Sequence, residues 1–409
     1  MKQVKYLLIG GGLASFHAAK MLRRNDPDGS ILMVSEEDLP PYDRPPLSKE
    51  ILRGERTPEE VVYESAAKLA EQSIDLALGT RVERLDPAAK TVTLSDGETV
   101  TYEKALIATG GRPIRLPVPG ADLAGVHYLR DAADAIAISK DATPGSRAVI
   151  IGGGFIGIES AASLSQRGVT VTVIEALPHI WARFCDETLA GFFQGHCADQ
   201  GISFLTSEMV AEIKGDDRVR SVVTKSGQTI ECDFVCIGIG IVPNVELAEE
   251  AGLTVDNGIV VDEHLRTSDP DIYAAGDVIN YYDTVFAKRR RVEHWGHAEY
   301  AGQVAAQNMA GGDAAYDFLS YVWSDIYDLR IEFAGDESER DQVLVRGRPG
   351  EGPFTVFYLK EGVLTAYFAI NTQPRDFAAY RQLIRRKIDL RGREAELVDP
   401  ESNTRDLLR

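Results

Sequence analysis

Tyr6-Leu-Leu-Ile-Gly-Gly-Gly-Leu-Ala14 and Ala148-Val-Ile-Ile-Gly-Gly-Gly-Phe-Ile-Gly157 are one device written twice: an apolar strand, a run of glycines, then a helical pattern. Such a passage opens a βαβ nucleotide-binding unit with a parallel sheet. In the first copy Gly10, Gly12 and Ser15 occupy the three positions of G-x-G-x-x-G, and in the second Gly152, Gly154 and Gly157 fill them. Glycine there permits a tight turn and lets backbone N–H groups at the helix start approach a pyrophosphate. Ser15 departs from the pattern, but a small side chain still allows close packing of helix on strand. Each unit then delivers an acid after its second strand: Glu36 after Ile31-Leu-Met-Val-Ser35, and Glu175 after Val169-Thr-Val-Thr-Val-Ile174. A carboxylate there accepts the hydroxyls of a ribose and repels a 2′-phosphate, so Glu175 predicts NADH rather than NADPH. Arg183, nearby in sequence, would soften that preference. A glycine turn without a ligand is the plainer alternative, and turn plus acid is the more specific signal.

The chain of 409 residues carries 44 Lys and Arg against 63 Asp and Glu, a formal charge of −19, which disfavours nucleic acid as a partner. Its 44% hydrophobic and 26% charged residues are those of a globular protein, and its length calls for two or three cores. Four cysteines, at 185, 197, 232 and 236, form neither a disulfide framework nor a zinc spacing. No metal is expected, and a reducing, cytoplasmic location fits. The apolar run Tyr6–Ile9 is too short for a secretory segment, and no stretch suggests a membrane span.

Further buried strands ending in glycine follow, at Phe234-Val-Cys-Ile-Gly-Ile-Gly-Ile241 and Asp271-Ile-Tyr-Ala-Ala-Gly-Asp-Val278. They suggest a first nucleotide domain over 1–112 and 250–318, interrupted by a second over 113–249. Beyond residue 318 the texture changes. Phe354-Thr-Val-Phe-Tyr-Leu359 and Val363-Leu-Thr-Ala-Tyr-Phe-Ala-Ile370, joined at Glu361-Gly362, read as an antiparallel hairpin in a third domain, 319–409. A helix follows with Tyr380, Leu383, Ile384 and Ile388 on one face. The fold class expected is α/β, with two Rossmann-like dinucleotide-binding domains and a C-terminal α+β domain.

Leu39-Pro-Pro-Tyr-Asp-Arg-Pro-Pro-Leu-Ser-Lys49 resembles the Pro-Tyr-x-Arg-Pro-Pro-Leu-Ser-Lys signature of FAD-dependent ferredoxin reductases and apoptosis-inducing factor. Ala108-Thr-Gly110, Gly152 to Glu159, Ala275-Gly-Asp277, Arg291-Val-Glu-His-Trp295 and Trp323-Ser-Asp-Ile-Tyr-Asp328 extend the resemblance, in the family's order, over essentially the whole chain. It implies a glutathione-reductase-like flavoprotein with FAD in the first domain, NADH in the second, and a C-terminal domain covering the flavin. By the same resemblance Arg44 and Lys49 reach FAD, Val82, Ala108, Thr109 and Gly110 line it, and Arg130 lies near its outer part. Asp277 would accept the ribityl hydroxyls, and Glu293, His294, Trp295 and Trp323 would close over the isoalloxazine. Phe155, Ile156 and Gly240 join the nicotinamide side. The matching lysine lies near flavin N5 and is held by the matching glutamate, so Lys49 and Glu159 are the pair expected to tune hydride transfer. At 294 the chain carries the His of apoptosis-inducing factor, while Trp295 follows the reductases.

The disulfide reductases of this superfamily need a redox cysteine pair just after the Arg-Pro-Pro segment, and none exists here. Cys232 and Cys236 share a predicted strand too far apart to bridge. Electrons must therefore leave the chain, and the resemblance implies a small acceptor, a [2Fe-2S] ferredoxin or rubredoxin-like protein. Trp323 is either their exit surface or core packing. Lys288 to Arg291, with Arg375, Arg381, Arg385, Arg386 and Lys387, make a basic dock if they converge and solvated charges if they do not. The alternative reading is an NADH-responsive flavoprotein, as in apoptosis-inducing factor, whose redox state controls dimerisation or partner binding. Monomer and homodimer both remain open.

Overall fold

The β-branched and leucine-rich runs of the sequence become parallel strands in the computed structural model, which describes residues 2–182, 184–338 and 340–409. The chain forms two compact units, each assembled from three separate stretches.

The first unit comprises 1–43, 59–112 and 242–320. Its sheet places Ile74–Ala77, Ile31–Val34, Lys2–Ile9 and Thr99–Ile107 side by side, with Ile272–Ala274 beyond, all parallel. This is the order a right-handed βαβ fold produces. An antiparallel hairpin, Val82–Asp86 and Thr91–Leu94, extends the other part of Thr99–Ile107. The helices Leu13–Asn25 and Trp295–Met309 pack closely, because Gly302 brings their backbones together: a Cβ there would lie 2.1 Å from the Ala14 carbonyl oxygen. The unit resumes at Val242 rather than at 250. Asn244 is the reason, since its amide and side chain donate to the carbonyls of Gly110 and Thr109, and its own carbonyl accepts the Thr109 hydroxyl at 2.7 Å.

The second unit comprises 44–58, 113–241 and 321–409. Five parallel strands run in the order Ser203–Leu205, Thr170–Ile174, Arg147–Ile151, Phe234–Ile237 and Val126–Tyr128. Five antiparallel strands form the C-terminal sheet in the order Tyr321–Ile326, Leu329–Gly335, Val363–Ile370, Phe354–Lys360 and Gln342–Arg346. The hairpin at Glu361-Gly362 is present, with both residues at positive φ (51° and 79°) as a two-residue turn of that hand requires. The helix after it spans Pro374–Arg386 and buries Phe377, Ala379, Tyr380, Leu383 and Ile384. Ile388 lies past its end, beyond a left-handed cap at Lys387. Among the described residues no helix is long and apolar enough to cross a membrane, and no cluster of His, Cys, Asp or Glu is arranged to hold a metal.

Candidate functional site

The two glycine turns are built alike at the first two glycines of the pattern, Gly10 and Gly12 against Gly152 and Gly154. Gly10 and Gly152 have φ of 114° and 109°, and a Cβ on either would lie 2.3 Å from a carbonyl oxygen of the neighbouring segment, Ala108 or Gly238. Only glycine fits both the dihedral and the space. Gly12 and Gly154 cap the helices Leu13–Asn25 and Phe155–Gln166 with extended backbone and no side-chain cap, and a Cβ on either meets nothing within 4 Å. The first-turn N–H groups therefore face open space without a capping side chain, which is the arrangement that accepts a phosphate. At the third position the copies diverge. A Cβ on Gly157 would strike the Gly152 carbonyl oxygen at 2.0 Å, whereas Ser15 is accommodated, wholly buried, with a hydroxyl oxygen that has no partner.

The acids also differ. Glu175 is drawn into its turn: Oε2 accepts from the Gly153 N–H at 2.5 Å and Oε1 from the Leu177 N–H at 2.7 Å, so the carboxylate is pre-oriented at the mouth of the second turn. In the first turn Ser35 holds the corresponding place beside Gly11, and Glu36, one residue on, is exposed with Arg81 at 3.8 Å. Arg183 lies outside the described residues. Phe155, the first residue of its helix, stacks on Trp181 with centroids 5.1 Å apart, while Ile156 is exposed. Trp181 was not foreseen: it is buried at φ 52°, and its backbone N–H donates to the Gly153 carbonyl.

In the second unit the signature segment forms a short 3-10 turn, Pro45–Ser48, ending at Lys49. Lys49 donates to Glu159 Oε1 at 2.8 Å, and both residues are buried, 7% and 5% exposed. Removing two charges from water costs several kcal/mol per ion unless further hydrogen bonds are made. They are made: Ser48 Oγ donates to Glu159 Oε2 and Ser324 Oγ to Oε1, each at 2.5 Å, and Ser163 Oγ donates to the Ser48 carbonyl at 2.8 Å. The Lys49 ammonium also lies 5.4 Å from the centre of the Trp323 ring, and Trp323 is 39% exposed. Arg44 donates to the Arg130 carbonyl at 2.8 Å, while the Arg130 N–H is held by Asp134. Gly240 sits at φ 108° in the loop after Phe234–Ile237.

In the first unit Ala108, Thr109 and Gly110 follow the strand Thr99–Ile107, and Val82 is buried at the start of Val82–Asp86. Asp277 occupies the turn after Ile272–Ala274, beside His297. His297 is wholly buried between the Tyr316 hydroxyl (2.5 Å) and the Gly276 carbonyl (3.2 Å). A carbonyl only accepts, so Nε2 carries the proton and Nδ1 accepts from Tyr316. Burial pushes the imidazoles of His294 and His297 down to about 3 and about 4. His294 Nδ1 bonds the Ser320 hydroxyl at 2.7 Å, and Glu293 is exposed and paired with Arg291. The Trp295 indole donates to Asp43 Oδ1 at 2.9 Å, which also accepts the Tyr63 hydroxyl at 2.9 Å, so Asp43 fixes the plane of Trp295. No spacing in the sequence joins those three residues.

The basic run is largely spoken for. Arg289 donates to the carbonyls of Val261 and Asn280, Arg290 pairs with buried Asp283, and Arg291 with Glu293. From the helix Pro374–Arg386, Arg381 stacks 4.6 Å over Tyr321 of the C-terminal sheet and reaches Glu332 at 3.8 Å. All four cysteines are buried and unbridged, and burial pushes the thiols of Cys185, Cys197 and Cys232 up to about 12 and that of Cys236 higher still. They do not form a dithiol redox centre.

Two glycine turns of the same build, each opening a helix beside a parallel strand, and in the second a carboxylate drawn into the turn, are features of a dinucleotide-binding fold. Residues 4–302 match the family Pyridine nucleotide-disulphide oxidoreductase, and residues 321–408 match Reductase C-terminal. The ferredoxin–NAD(+) reductase component of an anthranilate 1,2-dioxygenase system from Burkholderia cepacia is 38% identical over 93% of both chains. Rhodocoxin reductase from Rhodococcus erythropolis is 37% identical over 96% of this chain and 92% of its own. Among solved structures, a ferredoxin reductase from Rhodopseudomonas palustris superposes with a TM-score of 0.93 at 31% identity, covering 99% of this chain and 100% of that one. The covalent putidaredoxin reductase–putidaredoxin complex gives 0.90 at 31% identity, over 95% of this chain and 94% of that one. The chain belongs to the pyridine nucleotide-disulphide oxidoreductases, in their ferredoxin reductase branch.

Proposed function

We propose that the protein is an NADH-dependent flavoenzyme that passes electrons to a small iron-sulfur carrier, a [2Fe-2S] ferredoxin or a rubredoxin-like protein. The observation that carries this reading is the buried Lys49–Glu159 pair, with Trp323 exposed above the ammonium. Bound FAD would supply the two-electron to one-electron conversion, taking hydride from NADH at N5 and giving electrons up singly.

The residues fit both dinucleotides. Backbone N–H groups after Gly12 would donate to the FAD pyrophosphate and those after Gly154 to that of NADH, with Glu36 and Glu175 on the riboses. Arg44, Val82, Ala108, Thr109, Gly110, Arg130 and Asp277 complete the FAD contacts, with Glu293, His294 and Trp295 toward the ring. Ser15 acts through packing of its helix, because its side chain is inaccessible. Phe155, Ile156, Gly240 and Arg183 complete the nicotinamide side.

Lys49 contributes a fixed positive charge that stabilises negative charge on the reduced ring, and Glu159 holds it at that point without exchanging a proton with substrate. Trp323 offers an exposed aromatic surface for the acceptor. The first unit, with its last stretch from Val242, would serve FAD, and the stretch 113–241 of the second would serve NADH. A reducing cytoplasm suits four unbridged thiols.

The test is direct. Extraction of the purified protein should release FAD, and NADH should bleach a [2Fe-2S] ferredoxin only in its presence. A protein that holds FAD but reduces neither ferredoxin nor rubredoxin would contradict the proposal.

A further inference from the structure

We infer that Ser324 is a positioning residue for hydride transfer: its hydroxyl fixes the Glu159 carboxylate that orients Lys49, and so ties the strand bearing Trp323 to the charge at the reacting flavin. The inference rests on the reading of Lys49 and Glu159 given above and extends it to the hydroxyl that holds their carboxylate.

The geometry is specific. Strand alternation along Tyr321–Ile326 sends Trp323 outward, 39% exposed, and turns the next residue, Ser324, wholly inward. Ser324 Oγ lies 2.5 Å from Glu159 Oε1, the same oxygen that accepts Lys49 Nζ at 2.8 Å. An ionised carboxylate only accepts, so the hydroxyl proton is committed to it and the Ser324 rotor is locked. Ser48 performs the same service on Oε2. With both oxygens engaged, Glu159 cannot rotate without breaking a charge-assisted bond at a carboxylate largely withdrawn from water. Removal of the Ser324 donor frees Oε1 to swing and takes the ammonium with it. Because hydride transfer is sensitive to small misplacements, the loss falls on the chemical step rather than on NADH binding.

The experiment compares holoenzymes of wild type, Ser324→Ala and Ser324→Thr by anaerobic stopped flow, following flavin reduction over a range of NADH concentrations. Ser324→Ala should lower the limiting reduction rate by about tenfold, on the scale of one hydrogen bond to a charged group, with the NADH dissociation constant changed by less than about twofold. Ser324→Thr, which keeps the hydroxyl, should recover most of the rate, and flavin content and melting temperature report whether each variant is folded. Equal rates in wild type and Ser324→Ala would overturn the inference. So would a folded Ser324→Thr as slow as the alanine variant, which would show that packing and not donation matters. A wild-type protein that NADH does not reduce would overturn the functional reading, and this inference with it, a result distinct from equal rates.

Discussion

Lys49 and Glu159 stand 110 positions apart in the chain, yet Nζ lies 2.8 Å from Oε1 in surroundings that leave each residue less than a tenth exposed. Breaking such a pair by removing one partner costs about 3–5 kcal/mol, because the survivor is left buried and uncompensated. Lys49→Ala and Glu159→Ala should each lose roughly that much stability in urea unfolding, and each should slow flavin reduction. The double substitution should cost less than the two singles added together. Additive losses would show that the pair is not coupled.

The glycines make contrasting predictions. In Gly10→Ala the new methyl meets the Ala108 carbonyl oxygen at 2.3 Å at a φ of 114°, so the variant should be destabilised and recovered poorly. Gly12→Ala meets no protein atom within 4 Å, so it should fold with a near-normal melting temperature and lose FAD. Gly154→Ala should keep FAD and raise the NADH dissociation constant, by tenfold or so if one phosphate contact of about 1.4 kcal/mol is lost. Gly12→Ala purified with full FAD content would refute the phosphate role.

Glu175→Ala should narrow the preference for NADH over NADPH, because it removes the carboxylate that would face a 2′-phosphate. The change should be measured as a ratio of kcat/KM values, and a shift of at least about fivefold is expected for one charged contact. An unchanged ratio would assign cofactor choice elsewhere.

Acid should weaken the fold through His294 and His297. Their folded-state pKa values, about 3 and about 4, lie below the unfolded value near 6.5. Their stabilising contribution is therefore complete above about pH 6.5 and is lost as the pH falls toward the folded values, since only the unfolded chain takes up the protons. Each histidine contributes a slope of about 1.4 kcal/mol per pH unit in that window. Urea unfolding at about pH 7 and about pH 5 should show the loss, and His297→Gln should reduce the difference.

What the sequence disclosed and what it hid divide along a physical line. The glycine turns were legible because a positive φ and a close backbone approach are demands on single positions, met by one residue type. The Lys49–Glu159 pair was reached through resemblance. Ser48 and Ser324 were not singled out, because a serine hydroxyl carries no periodicity and its partner lies 111 or 165 residues away. The Trp295–Asp43–Tyr63 arrangement escaped for the same reason. Charge runs are ambiguous in a different way: Lys288 to Arg291 left a basic dock and solvated charges both open, and the guanidiniums of Arg289 to Arg291 satisfy carbonyls and carboxylates of their own unit. The return of the first unit at Val242 was set by Asn244, whose bonds to Thr109 and Gly110 leave no compositional mark.

The measurement that bears most directly on the whole account is double-mixing stopped flow: anaerobic reduction of the flavin by NADH, then mixing with an oxidised [2Fe-2S] ferredoxin. The account predicts fast reduction followed by fast reoxidation of the flavin, with one ferredoxin reduced per electron. Reduction to a long-lived species that the ferredoxin does not discharge would contradict it and would favour a redox-sensing role.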